Sequence, residues 1–203
     1  MQSIMIIPII AFIIVIVIHE FAHGYVAYLL GDPTAKDAGR LTLNPLAHAD
    51  PVGTILLPAL LLLARSPVVF GWAKPVPINP YNFKNRKKGI LITSLAGPMA
   101  NFVLAAFAAF ILKSGFFPVD NYFGRLLVYI VLISILLGLF NLLPIPPLDG
   151  SGVLFSILPN EVIKKLYWLR KYGFVILIGV LYLGLLNRVI VPLAYRIMHF
   201  LIA

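Results

Sequence analysis

His19, Glu20 and His23 spell His-Glu-Phe-Ala-His inside an apolar run from Ile4 to Leu30. A charge at the centre of such a segment costs at least ~2.5–3.5 kcal/mol, so ionisable groups kept there point to chemistry. On a helix, residues four apart share a face. Both imidazoles can therefore grip one metal ion, with Glu20 beside them. Zinc suits that pair and needs a third protein ligand and an open fourth position. It brings the pKa of a bound water toward ~7, and Glu20 is placed to take the proton. Iron or cobalt fits similar ligands.

The third ligand is not fixed by spacing. The remaining histidines are His48 and His199, and His199 lies near the C-terminus, where it reaches the membrane interface. Among the acidic residues, Asp149 stands out. It closes Asn141-Leu142-Leu143-Pro144-Ile145-Pro146-Pro147-Leu148-Asp149-Gly150, after the apolar span Leu126 to Leu143. The prolines stop that helix inside or at the edge of the membrane, where irregular backbone is tolerated only if buried in protein or facing water. Gly150 permits a tight turn just past the carboxylate.

The elements that must position these residues are membrane elements. The 203 residues are 61% hydrophobic and 11% charged, with a mean hydropathy of +1.00. Soluble domains are nearer half apolar and a quarter charged. A disordered tail, a collagen-like repeat and an ordinary cytosolic enzyme are excluded. The net charge of +9 comes from 16 Lys and Arg against 7 Asp and Glu. These bases sit in short loops between apolar runs, the positive-inside pattern of a membrane protein rather than a nucleic-acid surface. The absence of cysteine excludes disulfides, thiolate zinc sites and cysteine nucleophiles. Met1-Gln2-Ser3 has no positive side chain, and no small-residue cleavage site precedes His19. The first run therefore reads as a retained transmembrane helix rather than a signal peptide.

At 1.5 Å per residue, Ile4 to Leu30 reaches about 40 Å and must tilt or emerge from a ~30 Å core. A polar loop covers Gly31 to Pro51. Val52 to Ala64 is short and broken by Pro58, which suits a re-entrant or interfacial piece. Val68 to Ile78 is β-branched, aromatic and proline-punctuated, and reads as an extended segment or hairpin with a free edge. Lys84, Arg86, Lys87 and Lys88 should anchor at cytosolic headgroups. Gly89 to Leu112 and Leu126 to Leu143 are further spans, and Gly150 to Leu158 a short helix. Lys164, Lys165, Arg170 and Lys171 make a second basic loop. Gly173 to Leu186 and Val189 to Ala203 form two spans or a broken one. The expected fold is an all-α polytopic membrane protein, a bundle of about five to six transmembrane or re-entrant helices with a short membrane-associated β-element. Residues 1–158 would form the catalytic transmembrane core. Residues 159–203 would add the basic loop and C-terminal transmembrane helices.

Taken together, the motif around His19, the Asn141-x-x-Pro144-x-x-x-x-Asp149-Gly150 pattern and Ser94-Leu95-Ala96-Gly97-Pro98-Met99-Ala100-Asn101-Phe102 resemble the site-2 protease family of intramembrane zinc metalloproteases. Gly39 to Pro45, continuing through His48, Asp50 and Pro51, resembles its short bacterial and archaeal branch, without PDZ or CBS domains. The resemblance covers Ile4 to Leu158. It implies one Zn2+ per chain on His19, His23 and Asp149, with Glu20 as general base. It also implies a membrane-embedded edge element, which Val68 to Ile78 would match. The chain departs from the family where HExxH lies in the first span and where Gly150-Ser151-Gly152 replaces a glycine pair.

His23 and Asp149 must lie at one depth to share a metal. The first and third spans then run parallel, with Gly89 to Leu112 antiparallel between them. That topology places both basic loops inside, as the positive-inside rule requires. It puts the site of a multi-pass protein toward the cytosol, and the resemblance implies a prokaryotic cell membrane. The expected substrate is a transmembrane or membrane-anchored protein, bound by strand addition near Val68 to Ile78. The partners are that protein and the bilayer, with no nucleic acid. Asn141, Asn101 and His48 are candidates for substrate contacts or an oxyanion donor. A metal transporter is a rival reading, but it has no need of a glutamate beside the first histidine. A catalytically inactive scaffold or chaperone is another, and the intact His19, Glu20, His23 and Asp149 argue against it.

Overall fold

The computed structural model describes residues 2–56, 60, 63, 73–184 and 186–203. Three helices are long and apolar enough to cross a membrane. The first, α1, spans Gln2–Leu29 and stops where Gly31 takes a φ of 101°. Two single-turn helices follow, α2 (Thr34–Asp37) and α3 (Pro45–His48). The second long helix, α4, spans Arg86–Lys113, and Asn85 caps it by accepting Lys88 N–H at 3.0 Å. The third, α5, spans Tyr122–Asn141, and Asn121 caps it by accepting Gly124 N–H at 2.7 Å. Each cap satisfies a backbone donor that the helix leaves without an internal partner.

Beyond α5 come α6 (Asp149–Ile157), α7 (Asn160–Lys165), α8 (Tyr167–Tyr182) and α9 (Val191–Ile202). The expected bundle of about five to six transmembrane or re-entrant helices is matched in part, and its re-entrant candidate, Val52 to Ala64, lies partly outside the described residues. The helices α6 and α7 are too short to cross. The last two apolar segments qualify only as one broken unit, Tyr167–Tyr182 with Leu186–Ile202, bent by 62°. The count among the described residues is three spans, or four with that bent pair. A positive-φ Gly184 and the π-type turn Leu186–Ile190, which takes in Asn187 and Arg188, interrupt it.

Small residues let the helices approach. Ala11 and Val15 of α1 meet Ala105, Ala108 and Ala109 of α4, Ile130, Val131 and Ile135 of α5, and Ala194 of α9 in one buried cluster. Lipid tails are as apolar as leucine, so close van der Waals packing holds such helices together. Large apolar side chains on the same helices face outward, among them Ile9, Phe12, Val103, Phe107 and Phe110. A soluble protein would not leave so much exposed; here it is the surface offered to lipid.

The β-element expected at Val68 to Ile78 does not appear as a strand. Residues 68–72 lie outside the described residues, and 73–79 carry no strand. The reason is visible in the hydrogen bonds. Lys74 N–H donates to the His48 carbonyl at 2.9 Å, and Arg40 Nη2 donates to the Lys74 carbonyl at 2.6 Å. Val76 N–H donates to Glu20 Oε2 at 2.9 Å, and Asn79 N–H to Asp32 Oδ2 at 2.7 Å. Pro75 and Pro77 have no N–H at all. The backbone is tied to side chains and to the end of α3, one residue at a time. This strap, residues 73–82, ends in a 3-10 turn at Pro80–Asn82. It passes over the middle of α1, where the histidines are.

Candidate metal centre

His19 and His23 lie one turn apart on α1, both buried. Their Nε2 atoms are 3.1 Å apart, and each is 3.2 Å from Asp149 Oδ2. A tetrahedral zinc site with bonds of about 2.0–2.1 Å has edges of about 3.3–3.4 Å. The three atoms thus outline one face of such a tetrahedron and leave the fourth corner to another ligand. No other group of three His, Cys, Asp or Glu among the described residues is placed to hold an ion.

Three elements create this face. Asp149 is the first residue of α6, and α6 can begin there because of its glycines. A Cβ on Gly150 would overlap the Leu142 carbonyl, and one on Gly152 would overlap Ser94 Oγ. Gly150 is therefore needed for close approach, where the sequence reading had looked for a tight turn. The helix α4 runs antiparallel to α1 behind the histidines, with Thr93, Gly97 and Asn101 spaced along one face. His23 Nδ1 donates to the Thr93 carbonyl at 2.7 Å. That bond fixes the His23 proton on Nδ1 and turns the Nε2 lone pair toward the cluster. A Cβ on Gly97 would overlap His23 Nε2 and stand 2.7 Å from His19 Nε2. The glycine keeps open the space that a metal on those two nitrogens needs. Donor types, spacing and this clearance all fit zinc.

A cavity of about 310 Å³ opens on the cluster, lined by His19, Glu20, His23 and Asp149 together with Val76 and Asn141 of the facing walls. It is large enough for a peptide bond and flanking atoms, and Glu20 shares it with the three donor atoms.

Comparison with known proteins gives the same direction. The sequence pattern of peptidase family M50 matches residues 117–186, a stretch with Asp149 but without the histidines. YwhC of Bacillus subtilis, named as a zinc metalloprotease, is 40% identical across 83% of this chain and 76% of its own length. The chain belongs to peptidase family M50. Rip2 of Mycolicibacterium smegmatis, likewise named a zinc metalloprotease, is 33% identical across 90% of this chain and 69% of its own. MJ0392 of Methanocaldococcus jannaschii, also named a zinc metalloprotease, is 32% identical over 43% of this chain and 22% of its own length. No solved structure matches the chain significantly. The resemblance to site-2 proteases read from the motifs holds. As an M50 peptidase the protein is a membrane metalloprotease with Zn2+ as cofactor.

Of the other candidate residues, Asn141 lines the cavity and donates through Nδ2 to the Leu137 carbonyl at 3.0 Å. Asn101 is fully buried behind His19, with Nδ2 3.1 Å from His19 Nδ1. His48 is buried in α3, its Nε2 2.8 Å from the Thr42 carbonyl, and it meets the strap through its own carbonyl. Neither Asn101 nor His48 lines the cavity.

Sequence reasoning missed Thr93, which acts through its carbonyl and so carries no side-chain signal. It also missed Asp32 and Arg40, the tethers of the strap. Asp32 looked like a helix-ending turn residue, but it is fully buried. Burial opposes its charge. Hydrogen bonds from the Thr34 hydroxyl, Asn82 Nδ2, Asn79 N–H and Thr34 N–H overcome that, holding its carboxyl below the usual carboxylate range. The detectable signal was a carboxylate beside a proline in an otherwise uncharged turn.

Proposed function

We propose that the protein is an intramembrane endopeptidase in which His19, His23 and Asp149 hold zinc and Glu20 is the general base. The observation that carries this is the triangle of donor atoms, 3.1–3.2 Å on a side, in one cavity with Glu20. When bound, zinc supplies Lewis acidity to a carbonyl oxygen and acidifies water. Glu20 accepts the proton of the attacking water and returns it to the amine nitrogen as the C–N bond breaks. Val76 N–H holds one carboxylate oxygen and leaves the other for that transfer. Asn141, on the cavity wall, is placed to meet the substrate backbone.

The substrate is a transmembrane or membrane-anchored protein segment in extended form, because a helix hides its carbonyls in its own hydrogen bonds. The strap is its docking edge. From 74 to 77 every N–H is absent or already committed, through Pro75, Pro77, the His48 carbonyl and Glu20. The substrate pairs there by giving its own N–H groups to strap carbonyls. The exposed bases around Lys84–Lys88 and Lys164–Lys171 come together at the C-terminal end of α6. Lys87 Nζ donates to the Leu158 carbonyl at 3.2 Å and Arg170 lies 4.4 Å from the Phe155 ring, both at the α6 end. Their clustering on one side supports a site that opens toward the cytosol.

The test uses wild type and Glu20→Gln, purified in detergent. Metal content is measured by elemental analysis and cleavage on single-span peptides. The expected result is about one zinc per chain in both and a loss of cleavage of about 10²–10⁴-fold in the variant. Metal-free protein in both, or full cleavage by the variant, overturns the assignment.

A further inference from the structure

Asn101 is an amide in the membrane interior, fully buried, and half of it is unused. Its Nδ2 lies 3.1 Å from His19 Nδ1, while its Oδ1 has no hydrogen-bond partner. An unpaired buried acceptor is costly, and helix packing alone does not require one. The orphan becomes intelligible from the proton count of the cluster.

His23 carries its proton on Nδ1, because Nδ1 faces the Thr93 carbonyl, which only accepts. Its Nε2 is then a lone pair. Asp149 Oδ2 is an acceptor as well. With Nδ2 of Asn101 donating to His19 Nδ1, a neutral His19 keeps its proton on Nε2. That proton is the one donor among the three facing atoms, and it holds Asp149 Oδ2 at 3.2 Å. In that tautomer His19 Nε2 has no lone pair to give to a metal.

We propose that Asn101 is a positioning residue that selects the tautomer of His19. Turned by half a revolution about its terminal torsion, the amide presents Oδ1 to His19 Nδ1. The imidazole proton then sits on Nδ1, donated to Oδ1, and Nε2 is freed toward the metal. No proton is gained or lost in this exchange; one moves from Nε2 to Nδ1, the Nε2–H bond to Asp149 Oδ2 is given up, and the amide exchanges its donor for its acceptor. His23 needs no such device, since the Thr93 carbonyl fixes its tautomer permanently. The two histidines are thus held by different partners on the same face of α4. One is always ready to bind, and the other is made ready by a side-chain turn.

The proposal rests on the metal-centre reading, and the experiment separates the two. Zinc affinity is measured by chelator competition on the full chain in detergent for wild type, Asn101→Leu and Asn101→Asp. Leucine keeps the volume and removes the acceptor; aspartate can only accept. The expected result is a 10–100-fold loss for Asn101→Leu and affinity within a few-fold of wild type for Asn101→Asp, the scale of lost outer-shell partners. A readout without any variant is 15N NMR of labelled histidine. The His19 proton should be on Nε2 without zinc and on Nδ1 with it. Equal affinity in wild type and Asn101→Leu overturns the proposal, as does aspartate failing as badly as leucine or a His19 proton that does not move. Wild type that binds no zinc overturns the metal centre itself, and the proposal with it.

Discussion

The helical wall of the cavity and the strap that faces it are held in opposite ways. On the helical side, glycines let α4 touch α1 at Gly97, and α6 touch the end of α5 at Gly150 and α4 at Gly152. Each helix satisfies its own backbone, so side chains are left to set geometry. On the strap side, backbone is satisfied by single reaching groups, Arg40, Glu20 and Asp32 and the His48 carbonyl. The first wall tolerates almost no displacement; the second can be released one tether at a time. Segments held this way open locally at low free-energy cost, and binding loops are drawn from them. A metal site wants the first kind of wall and a peptide that must be admitted wants the second.

Gly97→Ala probes the helical wall. Its Cβ enters the space beside His23 Nε2, and zinc affinity should fall at least about 100-fold, more than most outer-shell losses. Chelator competition measures it. Unchanged affinity would mean that the helices yield as readily as the strap, and the contrast would vanish. Asp32→Ala probes the other wall. It strips the acceptor from Asn79 N–H and Asn82 Nδ2, and should lower the stability of the strap by about 2–3 kcal/mol. Hydrogen exchange should report faster exchange confined to residues near 79–82, with zinc content unchanged. Loss of zinc in that variant would show the two walls to be one unit. Arg40→Met removes the donor to the Lys74 carbonyl and should have a smaller effect, about 1–2 kcal/mol, read as a raised KM with little change in kcat.

Acidity gives the mildest test. The Asp32 carboxyl is held below its usual range, so the folded state binds its proton more weakly than the unfolded state. The stabilisation is whole above the ordinary value of ~3.9 and fades as pH falls from there through the lowered folded value. Protection of Asn79 N–H should follow that course in wild type and be flat in Asp32→Asn. A strap that instead loosens as pH rises would contradict the tether.

The same contrast explains what could be read in advance. Helices announce themselves through long apolar runs, so α1, α4 and α5 lie within a few residues of their expected bounds. His19, Glu20 and His23 stood out because ionisable groups in such runs have few other reasons to exist, and Asp149 because it follows a proline-stopped span; the structure brings His19, His23 and Asp149 together. The strap was legible only in part. Pro75 and Pro77 were read as confining a strand to a sheet edge, but 73–79 forms no strand and its tethers come from far along the chain. No periodicity links Asp32 to Asn79 or Arg40 to Lys74. The C-terminal segments could be read only as two spans or a broken one, because hydropathy does not register the bend between α8 and α9. The second partner of His23 was invisible, since any residue at position 93 supplies a carbonyl.

The donor set also has a schedule. Asp149 follows His23 by 126 residues, and ribosomes add about 5–20 residues per second. For roughly 6–25 s of synthesis the histidines are in being and the carboxylate is not. On the proposed ligand set, the nascent chain holds only two of its three donors until the third long helix has been made, so a complete site exists only once α5 is in place.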